Sequence, residues 1–129
     1  MASLIYLDTH VVAWLYAGRL DLLPNPVRAI LESSQLLISP MVELELEFLH
    51  ESGRTTEPGD TVVRALETDI GLTRCGLPFA QVVATSIREN WTRDPFDRLI
   101  VAQARTRRLP LLTKDRTIRD HYPEAIWFD

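Results

Sequence analysis

Apolar positions along the chain fall into short runs and helical stripes, and the two alternate. Ser3 to Leu7 (SLIYL) fits a buried strand, and a helical pattern follows from His10 to Tyr16. Pro24 to Glu32 reads as a second helix, with Asn25-Pro26 as its start signal. Leu36 to Ile38 is another buried strand. Ser39-Pro40 then supplies an N-cap and a first helical residue for a helix reaching Glu51, before Gly53. Glu57 to Asp60 is turn-like and predicts a loop. Thr61 to Ile70 is helical and Gly71 ends it. The remainder predicts a strand at Leu72–Cys75, a helix at Pro78–Asn90, a helix from Asp94-Pro95 to Arg108, and a strand at Leu109–Thr113. A short helix at Asp115–Asp120 and a strand at Ala125–Phe128 complete the pattern.

Strands alternating with helices predict an α/β fold, a three-layer α/β/α sandwich around a mainly parallel sheet. The 129 residues suit one domain, 1–129, with enough chain to bury a core. Mean hydropathy is −0.04, and no apolar run approaches the ~20 residues of a membrane helix. Met1 to Leu7 has no basic segment ahead of its apolar run, so the expected location is cytoplasmic. One cysteine, Cys75, excludes an intrachain disulfide and a cysteine zinc site. It reads as a small buried hydrophobe.

The formal net charge of −4 does not suggest a nucleic-acid binder, but its distribution does more. Nine basic residues lie between Arg88 and Arg119, against the four acids Glu89, Asp94, Asp97 and Asp115. That local excess of five leaves the rest of the chain at −9. Solvated helix faces would explain it equally well, since surface arginine is common.

Ligands of a parallel sheet bind beyond the carboxyl ends of its strands. Asp8 follows the first strand and Asp115 follows LPLLT, so both stand where the crevice belongs. Either could instead cap the next helix. In Arg93-Asp94-Pro95-Phe96-Asp97-Arg98, Pro95 belongs at the first helical position, which makes Asp94 the cap. Asp97 projects from the first turn toward the crevice. Glu43, Glu47 and Glu51 share one helical stripe and read as a solvated face. Glu45 is flanked by Met41, Leu44 and Phe48, so it is expected to point inward, where a carboxylate is costly unless paired or metal-bound. Asp8, Glu45, Asp97 and Asp115 could then converge. Like charges in one pocket call for protons or a cation, and oxygen ligands alone fit Mg2+ or Mn2+. Such ions serve phosphodiester hydrolysis, for which the basic segment would track phosphates.

At these residues the sequence resembles a PIN domain, in particular a VapC-like toxin of a type II toxin–antitoxin system. The matching pieces are LDTHVVAWL (Leu7–Leu15), SPMVELELEFL (Ser39–Leu49), RDPFDRLIVAQA (Arg93–Ala104) and LLTKD (Leu111–Asp115). The resemblance implies a Mg2+- or Mn2+-dependent endoribonuclease cutting single-stranded RNA, with transfer, ribosomal and messenger RNA all open as targets. It carries the acidic quartet onto Asp8, Glu45, Asp97 and Asp115, with Asp8 and Asp97 as primary metal ligands. Asp94 is an auxiliary acid or the cap, and Thr9 and Thr113 orient carboxylates or contact phosphate. Arg98, Lys114 and Arg116 are candidate RNA contacts, Arg98 equally a salt-bridge partner. Relatives often carry an apolar residue where Glu43 stands, so Glu45 is preferred as the ligand. A VapB-like antitoxin and a homodimer are the implied partners, with Pro24–Glu32 and Val42–His50 offering apolar surface.

His10 starts a helix and has no partner histidine at ligand spacing, His50 and His121 read as surface residues, and all three are set aside. Trp14 and Leu15 read as core or subunit interface. Trp91 reads as core or interface before base stacking. Three other readings compete, one of them a PIN nuclease acting on structured DNA, whose members are usually larger. A receiver domain would need an acid pair after its first strand, and Asp8 has no adjacent acid. A catalytically silent PIN module would act by partner binding, against which all four acids are present.

Overall fold

A computed structural model describes residues 3–129. Met1 and Ala2, the start of the apolar N-terminal segment, lie outside the described residues. The strands are β1 (Ser3–Leu7), β2 (Ser34–Ile38), β3 (Thr73–Arg74), β4 (Leu111–Leu112) and β5 (Ala125–Ile126). They form one sheet in the order β3-β2-β1-β4-β5, with every neighbouring pair parallel. Tyr6 pairs with Leu37 on one side and Leu111 on the other, so β1 is central. The helices are α1 (Thr9–Ala17), α2 (Asn25–Ser33), α3 (Pro40–Glu51), α4 (Gly59–Ile70), α5 (Phe79–Ser86), α6 (Pro95–Arg107) and α7 (Arg116–His121).

Parallel strands need crossovers, and right-handed ones put α1–α4 on one face and α5–α7 on the other. The packing agrees: α1, α3 and α4 touch one another, and α5 packs on α6. The result is the three-layer sandwich that the alternating pattern predicts. Its core is the middle of the sheet, where Ile5, Tyr6, Leu7, Ile38, Leu111 and Leu112 are buried between Val11, Val42 and Val63 on one side and Ile100, Val101 and Ala104 on the other. Chain order reverses between β1 and β4: strands to one side follow β1, and those to the other follow β3. That switch point opens a crevice at their carboxyl ends.

Several boundaries differ from the pattern, each for a local reason. The predicted Glu57–Asp60 loop ends early, because α4 starts at Gly59, whose N–H donates to the Glu47 carboxylate at 2.9 Å. A Cβ on Gly59 would stand 2.9 Å from the Glu47 nitrogen and closer still to the Glu43 carbonyl, so only glycine lets α4 approach α3 this closely. The helix predicted to reach Asn90 ends at Ser86, and beyond it buried Glu89 meets Arg105 Nε and Trp91 Nε1, both at 2.5 Å. Strand β2 begins two residues earlier than the apolar run, and a 3-10 turn at Leu20–Leu22 had no signal. The last three strands are shorter than predicted, yet backbone bonds such as Thr113 N–H to Ile126 O (3.1 Å) continue the ladder past them. Cys75 is buried but is more than a small hydrophobe. Its Sγ accepts the Tyr6 hydroxyl at 2.8 Å, with Arg107 Nη1 at 3.8 Å.

Candidate active site

Four helix starts at the carboxyl edge of the sheet carry a polar side chain that caps them. Asp8 Oδ1 accepts from the Thr9 N–H (2.8 Å), opening α1. Ser39 Oγ accepts from Met41 N–H (3.1 Å), opening α3. Asp94 Oδ1 accepts from Phe96 N–H (2.8 Å), opening α6. Asp115 Oδ1 accepts from Ile118 N–H (3.0 Å), opening α7. The capping reading therefore holds for Asp8, Asp94 and Asp115 alike, and for the first and last it does not compete with a place in the crevice. The N-terminal ends of α1, α6 and α7 together offset part of the negative charge there.

The carboxylates are held to different degrees. Asp8 is buried, and its Oδ2 accepts the Thr113 hydroxyl at 2.6 Å. The Thr113 hydroxyl in turn accepts from Asp115 N–H at 3.0 Å, which links the ends of β1 and β4. Glu45, on α3, accepts the Thr9 hydroxyl at 2.5 Å. Thr9 and Thr113 thus sit between acids and hydrogen-bond to them. Asp97 differs: among the described residues nothing donates to its carboxylate. Burial first, then Asp94, Asp8, Asp115 and Glu45, push it up to about 7. Burial also raises Glu45, against the Thr9 hydrogen bond and with Asp8 and Asp94 adding to the rise. The structure therefore brings Asp8, Glu45, Asp97 and Asp115 within electrostatic reach of one another, with Asp94 beside them.

The donor set is all oxygen, and its least satisfied member is half-buried among like charges. That chemistry fits a hard divalent cation. Among the described residues, no three His, Cys, Asp or Glu side chains are already gathered as closely as an ion would hold them.

Two sequence arguments about α3 need correction. Glu45 reaches the crevice, but not because it lies on a buried apolar face. Leu44 and Phe48 beside it are 44% and 51% exposed, and the helix buries Val42 and Leu46. Nor is the Glu43–Glu47–Glu51 stripe simply solvated. Arg74 Nε and Nη2 donate to the two oxygens of Glu43, both at 2.8 Å, and Glu47 holds the start of α4. The guanidinium keeps Glu43 below its usual range. Only Glu51 is exposed.

The basic segment also divides. Arg105 is spent on Glu89 and Arg119 on Asp129, while Arg98 Nε donates to the Thr92 carbonyl at 2.7 Å. Arg107 and Arg108 stand at the far end of α6, about 20 Å from its start for a helix of this length. Lys114 and Arg116 are exposed beside Asp115 and form no ion pair among the described residues. His10 was set aside, yet it belongs to this region. Its Nδ1 lies 3.4 Å from Asp8 Oδ2 and its Nε2 accepts from the Lys114 N–H at 2.9 Å. Burial keeps the imidazole below its ordinary value, against the pull of Asp8 and Asp115. The available signal was position alone, two residues past Asp8.

Sheet order, layers and acidic crevice define an α/β/α sandwich with carboxylates at its switch point. The same fold is found in VapBC2 from Rickettsia felis bound to a promoter DNA fragment (TM-score 0.68, 15% identity, 95% of this chain and 96% of that one). It is also found in a toxin–antitoxin complex from Klebsiella pneumoniae (TM-score 0.66, 19% identity, 95% and 96%). Ribonuclease VapC22 of Mycobacterium tuberculosis is 29% identical, over 95% of this chain and 98% of its own length. The chain belongs to the PIN domain family, which matches residues 5–122. Among the described residues no helix is long and apolar enough to cross a membrane.

Proposed function

We propose that this chain is an endoribonuclease toxin of a toxin–antitoxin pair, hydrolysing phosphodiester bonds in single-stranded RNA with Mg2+ or Mn2+. The observation that carries the reading is the half-buried Asp97 carboxylate, which has no donor of its own among the described residues and is surrounded by four other acids. The likeness to a relative named as a ribonuclease, over nearly the full length of both chains, supports the choice of substrate.

Asp8, Asp97 and Glu45 would hold the cation, with Asp115 placing it or the attacking water. Bound there, a divalent ion would polarise the phosphoryl oxygen, favour ionisation of water and stabilise the leaving alkoxide. The chain's own part is orientation. Thr113 fixes Asp8 Oδ2, and the Thr9 backbone and hydroxyl fix Asp8 Oδ1 and Glu45. Lys114, Arg116 and the unbonded nitrogens of Arg98 would receive backbone phosphates. A VapB-like antitoxin is the proposed partner and a homodimer the proposed assembly, in the cytoplasm.

Cleavage of single-stranded RNA by the purified chain, with Mg2+, Mn2+ or EDTA, tests this. Wild type is expected to cut only with metal. Asp8→Asn and Asp97→Asn are each expected to lose about 10²- to 10⁴-fold, the several kcal/mol a metal contributes to such transition states. A well-folded wild type inert on total cellular RNA under every metal would overturn the reading in favour of a silent binding module.

A further inference from the structure

Three aromatic rings lie just beyond the acids; the two indoles pack partly against the core, and the proposed hydrolysis uses none of the three. His10 stands in the first turn of α1, Trp14 one turn later, and Trp127 directly after β5. Their centroids are 5.0 Å (His10–Trp14), 6.2 Å (Trp14–Trp127) and 6.3 Å (His10–Trp127) apart. The planes meet at 57°, 57° and 73°, so none of the three pairs is stacked in parallel. An open depression of about 350 Å3 is lined by His10, Trp14, Lys114 and Asp115. It therefore adjoins one of the crevice acids directly.

The contrast with Trp91 is informative. Trp91 lies flat on His121 (4.8 Å, 5°) and donates to Glu89, so both its face and its N–H are spent. The indole N–H of Trp14 meets no acceptor among the described residues, and neither does that of Trp127. Lys114 is exposed, and its ammonium forms no ion pair or hydrogen bond among the described residues. Its backbone N–H is fastened to His10 Nε2, which holds the loop carrying the cation against the helix carrying the indole. A half-buried aromatic face, a free indole donor and a held cation, all next to a phosphodiester site, match a stacked base followed by its phosphate.

Resting on the nuclease reading, we infer that this depression receives the nucleobase beside the scissile phosphate of single-stranded RNA. Trp14 provides the stacking face and Lys114 the charge opposite the adjoining phosphate. Because every base has a π-face, this subsite selects an unpaired base rather than a particular sequence.

The test is binding of a labelled ten-nucleotide oligo(A) RNA in EDTA, where hydrolysis does not compete, followed by cleavage kinetics in Mg2+. Trp14→Leu is expected to weaken binding roughly ten-fold or more, and Trp14→Phe, which keeps a stacking face, by less than about three-fold. Trp91→Phe serves as the control and leaves binding unchanged. Lys114→Ala should lower the slope of log Kd against log salt by about 0.7, one single-strand phosphate contact. Circular dichroism reports whether each variant folds, and Trp14→Phe keeps the test decisive if Trp14→Leu does not. Wild-type affinity in Trp14→Leu, or no RNA binding by wild type, overturns the inference. Trp14→Leu that keeps RNA affinity but loses a co-expressed protein partner assigns the depression to that partner and also overturns it. Cleavage by wild type with unchanged KM in Trp14→Leu would sink the subsite and leave the nuclease standing. Trp14-dependent binding without any cleavage would do the reverse.

Discussion

Helix α3 carries two acids two residues apart that have opposite fates. Glu43 faces β3 and α4, where Arg74 grips both its oxygens and also donates to Glu67 at 2.6 Å. Its carboxyl is held below the usual range. Glu45 faces β1 and the crevice, where one threonine hydroxyl is its partner and its carboxyl is raised. Asp97 opposite has no donor among the described residues and is raised further. Residue type and backbone are the same, so the difference lies in the counter-charge. Where the fold supplies a guanidinium, the acid joins two layers. Where it withholds one, the acids repel, and that costs stability unless a cation arrives.

Breaking this contrast should produce its largest effect in catalysis. Glu45→Gln is expected to slow RNA cleavage at least about ten-fold, while Glu43→Gln stays within about three-fold, each judged from initial rates in Mn2+. If Glu43→Gln were the damaging change, the helix phase assigned to the crevice would be wrong.

Next in size is the removal of Arg74. Arg74→Met leaves Glu43 a half-buried carboxylate without its bidentate partner. Urea unfolding at pH 7 is expected to show a loss of about 1–2 kcal/mol, discounted for partial exposure of the pair. Cleavage per folded molecule should be unchanged. A stability equal to wild type would mean that water replaces the guanidinium at no cost.

On the crevice side the sign reverses. Asp97 is raised to about 7 from an ordinary value of 3.8, so folding takes up a proton between those values. The stability tied to its protonated form is complete below about pH 3.8 and is lost as pH rises through 7. Asp97→Asn escapes that loss. Without metal the variant is expected to be more stable than wild type at pH 8 by about 1 kcal/mol after allowance for solvent screening, and equal to it near pH 4. The smallest effect belongs to Glu47→Ala, which removes the acceptor at the start of α4 and should cost about 0.5–1 kcal/mol by thermal unfolding.

Much of this was legible in the chain. Short apolar runs gave the strands, and Ser39-Pro40 and Asp94-Pro95 gave two helix starts that the structure keeps. Those starts place Glu45 and Asp97 at the carboxyl edge of the sheet. The partners of the acids were not legible, because they come from distant positions. Arg74 lies 31 residues from Glu43 and Thr113 lies 105 from Asp8. Helical phase alone therefore mistook a half-buried ion pair for part of a solvated stripe. It also picked Glu45 through an apolar flank of which Leu44 and Phe48 are exposed. His10 and Trp14 were read singly, and only the fold of β5 back beside α1 adds Trp127 to them.

On the proposed reading the unpaired acids, and not the paired ones, form a cation site. Calorimetric titration of Mn2+ into wild type, Asp97→Asn and Glu43→Gln at pH 8 tests it most directly. Binding by wild type and Glu43→Gln with matching heats, and none by Asp97→Asn, is the expected result. Binding that survives in Asp97→Asn, or disappears in Glu43→Gln, would contradict it.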